Sequence, residues 1–444
     1  MNENISESSG AAAIGSHDLI APYRSQQVLT VAAMYFGYAM FMVLRMIPTV
    51  AGAAMREDAS LGIDLGVWGR ILAMGTWGAV VGKFVGGYAA DRFGGKLTFT
   101  VGLLISSLFV GLFAASSEIG MFQATFFVAL MAKSAGWPSM ARIIANWFRP
   151  NEYGRVWGVL STSSRVGTLA ATFFLGAFLA VMSWRAMLTI SAACGVLIVV
   201  CFAFVLKERP HGKPIPADEP GSDPDDSETL RHPLDNTTLP QAIRCFAASL
   251  QFWLITGSLM GLTILWDFLL MVPMYLQDTL ELPVAKASMA ASAFPFGSLI
   301  SVLMGGYMFD KLSRKSTAGL MGCLLAVATG CIGTFLLMPE FGMTTASLTH
   351  LSLALLFIFG LCVSPCYYIP MSVFAIEFGG PHSGFLIALL DALAFAATAI
   401  FYYYAGSMAE AGWSLFLTVL LAISIWSLLT TFLFMRGEAR RQVR

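Results

Sequence analysis

Six ionisable side chains of this 444-residue chain stand inside apolar runs, where water should not reach them. Arg45, Lys83, Lys133 and Arg165 belong to the first half, and Asp267 and Asp391 to the second. A charge at bilayer depth costs several kcal/mol or more, so each is a functional candidate by default. The signs divide by half: only cations at this depth in one, only carboxylates in the other. Cations suit an anionic group. A carboxylate can pair with a cation from the other half, accept from a donor group, or carry a coupling proton. Arg165 stands about ten residues into its run, roughly 15 Å from the end at 1.5 Å per residue, close to the midplane. Arg45, Lys133 and Asp267 fall near the centres of their runs, with Lys83 and Asp391 about a third of the way in. Structural duties compete with binding. Lys83 can snorkel to the surface, Lys133 can hold a helix carbonyl, and Arg165 can bolt the halves together through Asp267.

Aromatic residues complete the set. Tyr38 precedes Arg45 by two helical turns, which places both on one face. Trp266 adjoins Asp267, and Tyr367 and Tyr368 lie between Pro365 and Pro370, where a helix should bend and free carbonyls. Gly136-Trp137-Pro138 marks a comparable break in the fourth run. Tyr402-Tyr403-Tyr404 reads as an interfacial belt. The substrate-binding candidates are therefore Tyr38, Arg45, Lys83, Lys133, Arg165, Trp266, Asp267 and Tyr367, with Asp267 and Asp391 as coupling candidates. The seven cysteines show no metal-ligand spacing, and Cys362 and Cys366, one turn apart, read as ordinary buried thiols. No cofactor or metal is expected. Without a nucleophile–base pair or a metal-ligand cluster, the chain does not read as an enzyme.

The elements that must position these residues are membrane helices. Hydrophobic residues make up 57% of the chain, charged residues 12%, and mean hydropathy is +0.73. A soluble domain carries about 25% charged residues, twice this share. About 20 apolar residues span a bilayer, and about twelve such runs are present, the second at 67–90 and the fifth at 155–181. The expected fold is an all-α membrane protein of twelve transmembrane helices in two pseudo-symmetric six-helix lobes, 28–206 and 249–435. Tails cover 1–27 and 436–444, and 207–248, rich in Pro, Asp, Glu and Ser, reads as a mobile linker. Basic residues crowd the termini and even-numbered turns, about 17 against about 3 in the odd turns. That bias puts both termini and the linker in the cytoplasm. No cleavable signal is evident, and the inner (plasma) membrane of a bacterium is the expected location. The lipid bilayer and a small molecule are the expected partners. Basic residues outside these topological positions form no cluster for nucleic acid, and a monomer is expected.

Gly86-Gly87-Tyr88-Ala89-Ala90-Asp91-Arg92 returns 219 positions later as Gly305-Gly306-Tyr307-Met308-Phe309-Asp310-Lys311. The echo marks a duplicated bundle. Gly87-x-x-x-Asp91-Arg92-x-Gly94-x-Lys96 resembles the signature of the major facilitator superfamily between its second and third spans. Asp91, Arg92, Arg142 and Asp310 are candidates for a cytoplasmic gate, Arg142 as the partner of Asp91. Tyr38 with Arg45, Gly82-Lys83-Phe84, Gly136-Trp137-Pro138-Ser139 and Trp147-Phe148 resemble the organophosphate:phosphate antiporter branch of that superfamily. The resemblance covers most of the first lobe and implies a phosphate site lined by Tyr38, Arg45 and Lys83. It departs in three places. Met46 follows Arg45 where the branch has lysine, Leu265-Trp266-Asp267 stands where the branch has a second arginine, and Ser164-Arg165 replaces a histidine. Cations on one wall and a carboxylate on the other suit a zwitterion, or a carboxylate bearing a donor group. The expected function is a secondary active transporter of a small organic anion or zwitterion. It works by alternating access, as a symporter, with the proton as the expected coupling ion, or as an exchanger of counter-substrates. The alternatives are a transporter-like receptor sensing such a ligand, and a carrier of a metal or siderophore complex with Met34, Met40, Met42 and Met46 inside.

Overall fold

In this computed structural model the structure describes residues 11–149, 152–209, 234, 237–309 and 312–441. Among the described residues the secondary structure is helical. The first half contains α1 Ala11–Glu57, α2 Leu65–Phe93, α3 Gly95–Ala115, α4 Ile119–Lys133, α5 Gly136–Trp147, α6 Tyr153–Ala170, α7 Gly176–Phe178 and α8 Trp184–Val205. The second half contains α9 Leu239–Ala248, α10 Leu250–Asp267, α11 Val272–Leu280, α12 Val284–Ala291, α13 Ala293–Phe309, α14 Arg314–Leu337, α15 Thr345–Gly379, α16 Ser383–Ala411 and α17 Trp413–Arg441.

Among the described residues ten helical stretches are long and apolar enough to cross a membrane, and the chain is an integral, multi-pass membrane protein. The expected second and fifth spans fall outside that set: α2, and α6 continued through a π turn at Ala171–Leu175 into α7. Both are helical but more polar. Glycine and Lys83 dilute α2, and Arg155, Arg165 and a run of Ser and Thr dilute α6. A helix that lines a polar interior loses the hydropathy of one that faces lipid on most sides.

Local chemistry sets the helix ends. Asp64 caps α2 by accepting from the Val67 amide at 2.5 Å, and Gly94 ends it with φ at 88°. Ser183 and Ser313 cap α8 and α14 in the same way. Helix α1 begins before the apolar run, and α17 continues past it to Arg441. The last ten residues of the expected linker form α9, which opens on a Thr238–Gln241 capping box and buries Ala242 and Phe246. Phe246 packs on Phe378 and Phe252, so this part of the linker is docked.

Helix α2 packs on α4 through a glycine face. A Cβ at Gly78 or Gly82 would collide with the carbonyl of Phe127 or Met131, and one at Gly86 would sit 2.6 Å from Ala135 Cα. Small residues are what let membrane helices approach this closely. Among the described residues the halves are joined chiefly by α2 with α16, α6 with α13, the π turn and α7 with α12, and α1 with α11. At α2–α16 the backbones touch, because a Cβ at Gly69 would lie 2.6 Å from the Tyr402 carbonyl oxygen.

Breaks fall partly where expected. The fourth span is interrupted at Ser134–Ala135, just before Gly136-Trp137-Pro138. The tenth span is not: α15 runs unbroken through Pro365 and Pro370. In the second half the chain is interrupted elsewhere: α10 ends at Asp267 and a 3₁₀ turn, Phe268–Leu270, leads to α11, and Ser292 separates α12 from α13.

Candidate functional site

Arg45 projects from the C-terminal third of α1 and meets Asp267 at the C-terminus of α10, with 2.5 Å between Nη2 and Oδ1. Both side chains are buried, at 8% and 2% exposure, so neither charge leans on water. Asp267, which the sequence offered to Arg165, thus takes Arg45 as its partner. The hydroxyl of Tyr402 donates to the Asp267 backbone carbonyl at 2.5 Å and pins the end of α10. Asp267 Oδ2 is buried without a hydrogen-bond partner among the described residues.

A second pair lies beside the first. Lys83 of α2 pairs with Asp391 of α16, so here too one member comes from each half. Lys83 therefore points inward and does not snorkel. Tyr367 donates to the other oxygen of Asp391 at 3.5 Å. Phe395, one turn beyond Asp391, presents its ring to both cations, with Lys83 Nζ 4.1 Å and Arg45 Cζ 5.8 Å from its centroid.

The remaining cations stand on aromatic rings. Arg165 lies 4.4 Å over Trp266 and donates to Ser164 Oγ at 2.8 Å. Trp266 in turn stacks on Tyr367, linking Arg165 to the Asp391 pair. Lys133 ends α4 with its ammonium 5.9 Å from the Tyr38 ring. It is half-buried, lies within electrostatic reach of Arg45, Lys83, Asp267 and Asp391, and makes no ion pair or hydrogen bond among the described residues. Tyr38 packs edge-on against Trp137, which faces Trp157 at 4.5 Å.

All eight substrate-binding candidates and both coupling candidates therefore form one connected group. The gate candidates do not. Asp91, Arg92 and Arg142 are exposed, and Asp91 and Arg142 form no ion pair with each other. Asp310 lies outside the described residues. The carboxylate that receives the N-terminal amides of α3 is Glu208, just beyond α8. It accepts from Gly95 N at 3.0 Å, Lys96 N at 2.6 Å and Asn146 Nδ2 at 3.2 Å. Gly86 packs against Ala135, whereas Gly87 faces open space.

Sequence reasoning missed Phe395, Tyr402, Trp157 and Glu208. Asp391, Phe395 and Tyr402 are spaced four and seven apart, a helical face that begins at an identified residue. Tyr402 is 1% exposed, whereas Tyr403 and Tyr404 are 54% and 55% exposed. Only the latter two fit a belt, since three consecutive residues point about 100° apart on a helix.

About three turns beyond Arg45, the last residues of α1 meet helix α11 at one end of the helices. Arg56 grips Asp278 through both nitrogens at 3.1 and 3.2 Å, and Gln277 donates to Glu57 at 2.7 Å. Trp413 Nε1 donates to Asp278 at 3.1 Å, and the Gly66 amide to Glu410 at 3.1 Å. The partners in Arg45–Asp267 and in Arg56–Asp278 are each separated by 222 positions. Each of these pairs thus takes one member from either half.

Comparison with known proteins agrees with this architecture. Residues 29–286 match the family model described as Major Facilitator Superfamily. The chain is 26% identical over 310 residues to a "Probable hexose phosphate transport protein" of Chlamydia muridarum, covering 66% of each. It is 21% identical over 281 residues to a "Probable galactarate/D-glucarate transporter GudP" of Bacillus subtilis, covering 60% of this chain and 61% of that one. The matched stretches thus span just under two thirds of these relatives. In fold it is similar to a bacterial homologue of the human lysosomal transporter Spinster, solved inward-facing and unoccupied. The TM-score is 0.71 at 15% identity, covering 94% of this chain and 97% of that one. With its helices, its repeated glycine–aspartate turn and a family match over more than half its length, the chain belongs to the Major Facilitator Superfamily of membrane transport proteins.

Proposed function

We propose that this protein is a secondary carrier of a small organic anion or zwitterion that works by alternating access. The twelve helices form two six-helix lobes, α2 and the α6–α7 stretch completing the ten more apolar spans, with both termini on the cytoplasmic side of a bacterial plasma membrane. The supporting observation is the pairing of charges across the halves at the centre. Arg45–Asp267 and Lys83–Asp391 each take one member from either half, beside Lys133, which has no acidic partner among the described residues. Four cations face two carboxylates, so the site carries an excess of positive charge that an anion neutralises.

The cycle follows from that balance. An entering anion competes for Arg45 and Lys133, loosens the central pairs, and lets the halves rock until the opposite end opens. Arg165 on Trp266, with Tyr38 and Tyr367, offers flat faces and hydroxyls to the rest of the ligand. The substrates for which those relatives are named, hexose phosphate and galactarate or D-glucarate, are polyhydroxylated anions and fit such a wall. Asp391, held by Lys83 and Tyr367, is placed to take up a coupling proton when Lys83 turns to substrate. Asp267 stands where the antiporter branch has a second arginine, so a two-guanidinium clamp is missing and a carboxylate ligand fits better than phosphate.

Reconstituted proteoliposomes test this. Radiolabelled D-gluconate, D-glucarate and D-glucose 6-phosphate are offered with an imposed proton gradient or an unlabelled counter-substrate. The expected result is gradient-driven uptake of at least one of them, lost in R45A and K133Q. No gradient-dependent uptake across a broad panel of organic anions sinks the reading.

A further inference from the structure

We infer that Asp267 sets the charge selectivity of the central site, as an internal anion that occupies Arg45 until a ligand's head group displaces it. This rests on the organic-anion reading above and adds to it a residue and a rule.

The geometry supports the role in three ways. Asp267 lies at the end of α10, where the helix gives way to a 3₁₀ turn, and Tyr402 holds its backbone carbonyl from a third helix. The carboxylate is therefore anchored at its base, so it stays at the site when Arg45 turns to another anion. Only Oδ1 is engaged, while Oδ2 has no partner among the described residues, so the carboxylate is not consumed by a structural network. Arg45 in turn spends one N–H on Asp267 among the described residues and keeps the rest of its fork for a second oxygen acceptor.

A head group bound at Arg45 thus has a fixed negative neighbour. Repulsion from Asp267 doubles when the head group carries two charges instead of one, in a setting where water screens little. Lys133 and Arg165 still draw anions in. Asp267 decides how much charge is tolerated at one point. A ligand with a hydroxyl or ammonium beside its carboxylate gains further, because that donor can satisfy Oδ2.

The test separates charge from shape. D-Glucose 6-sulfate and D-glucose 6-phosphate share a sugar and a tetrahedral head. At pH 7.5 the sulfate carries one charge and the phosphate nearly two, its second pKa being about 6. Binding of each to full-length protein in detergent is read by thermal stabilisation across a concentration series. In D267N the ratio of phosphate to sulfate affinity is expected to rise about tenfold over wild type, roughly the effect of one nearby charge. D267E, which keeps the charge, and D278N, which alters the distant contacts to Arg56 and Trp413, are expected to keep the wild-type ratio.

A ratio in D267N within about twofold of wild type overturns the inference, as does an equal rise in D278N. If D267N does not fold, R45K supplies the second measurement. It keeps the cation for Asp267 but removes the fork, and is expected to weaken both esters with the ratio unchanged. A ratio that shifts in R45K as far as the tenfold expected of D267N overturns the inference too. Failure of wild type to bind either ester, D-gluconate or D-glucarate is a different result. It refutes the organic-anion reading itself, and this inference with it.

Discussion

Arg45 and Asp267 depend on one another more than on any other neighbour. Removing one member of a buried pair leaves the other charge stranded, at a cost of about 3–5 kcal/mol, whereas replacing both with apolar residues is often neutral. R45A is therefore expected to lower the thermal midpoint in detergent, and R45M/D267L to recover most of the loss while remaining inactive in transport. An unchanged midpoint in R45A shows that the pair is not closed in the resting protein. At this scale the sequence was informative about residue types, because a charge in an apolar run announces itself. It was silent about partners. Arg45, Lys133 and Arg165 are chemically similar candidates for Asp267, and which one reaches it depends on helix rotation. Phe395 went unnoticed because a phenylalanine among apolar residues carries no mark, although its ring serves two cations.

The elements show where hydropathy succeeds and where it fails. Runs facing lipid stood out, while α2 and α6, which face polar company, fell below the apolar level of the rest. Proline proved a poor guide to interruption. Pro365 and Pro370 sit in a continuous α15, and the break after Asp267 has its proline six residues further on, at Pro273. The α1–α11 contact carries a prediction of its own. Arg56 and Asp278 are each 24% exposed, so their pair contributes roughly 0–1 kcal/mol. Losing it is expected to favour opening at that end by about two- to fivefold without unfolding the protein. Ser288 is buried beneath this end, its hydroxyl facing the Val50 carbonyl at 3.5 Å. In a background with the seven native cysteines replaced, S288C is expected to react faster with a thiol reagent in R56A than with Arg56 intact. Equal rates count against a closure role for the pair. The S288C label also reports restoration by the charge-swapped R56D/D278R.

For the whole molecule, the division of basic residues between alternate turns is the most testable expectation. Epitope tags at the N- and C-terminus are expected to resist protease added outside intact bacterial cells, and to be cleaved in inverted vesicles. Cleavage of either tag from outside overturns the assigned orientation. The echo at Gly86 and Gly305 raised the expectation of a duplicated bundle without coordinates, since a repeated turn at matching places needs no knowledge of side-chain direction. The confrontation of charges across the halves did not show in the same way. Nothing in two separate runs indicates that residues 222 apart will face each other until the halves are set side by side.

That confrontation bears on ancestry. If two identical copies of the first half assembled face to face, the cations gathered at its centre would meet the same cations opposite. Attraction there requires that the two sides differ, with cationic residues in one and acidic residues in the other. Any ancestor built of two like halves would have had to divide its charges between them before these bonds could form.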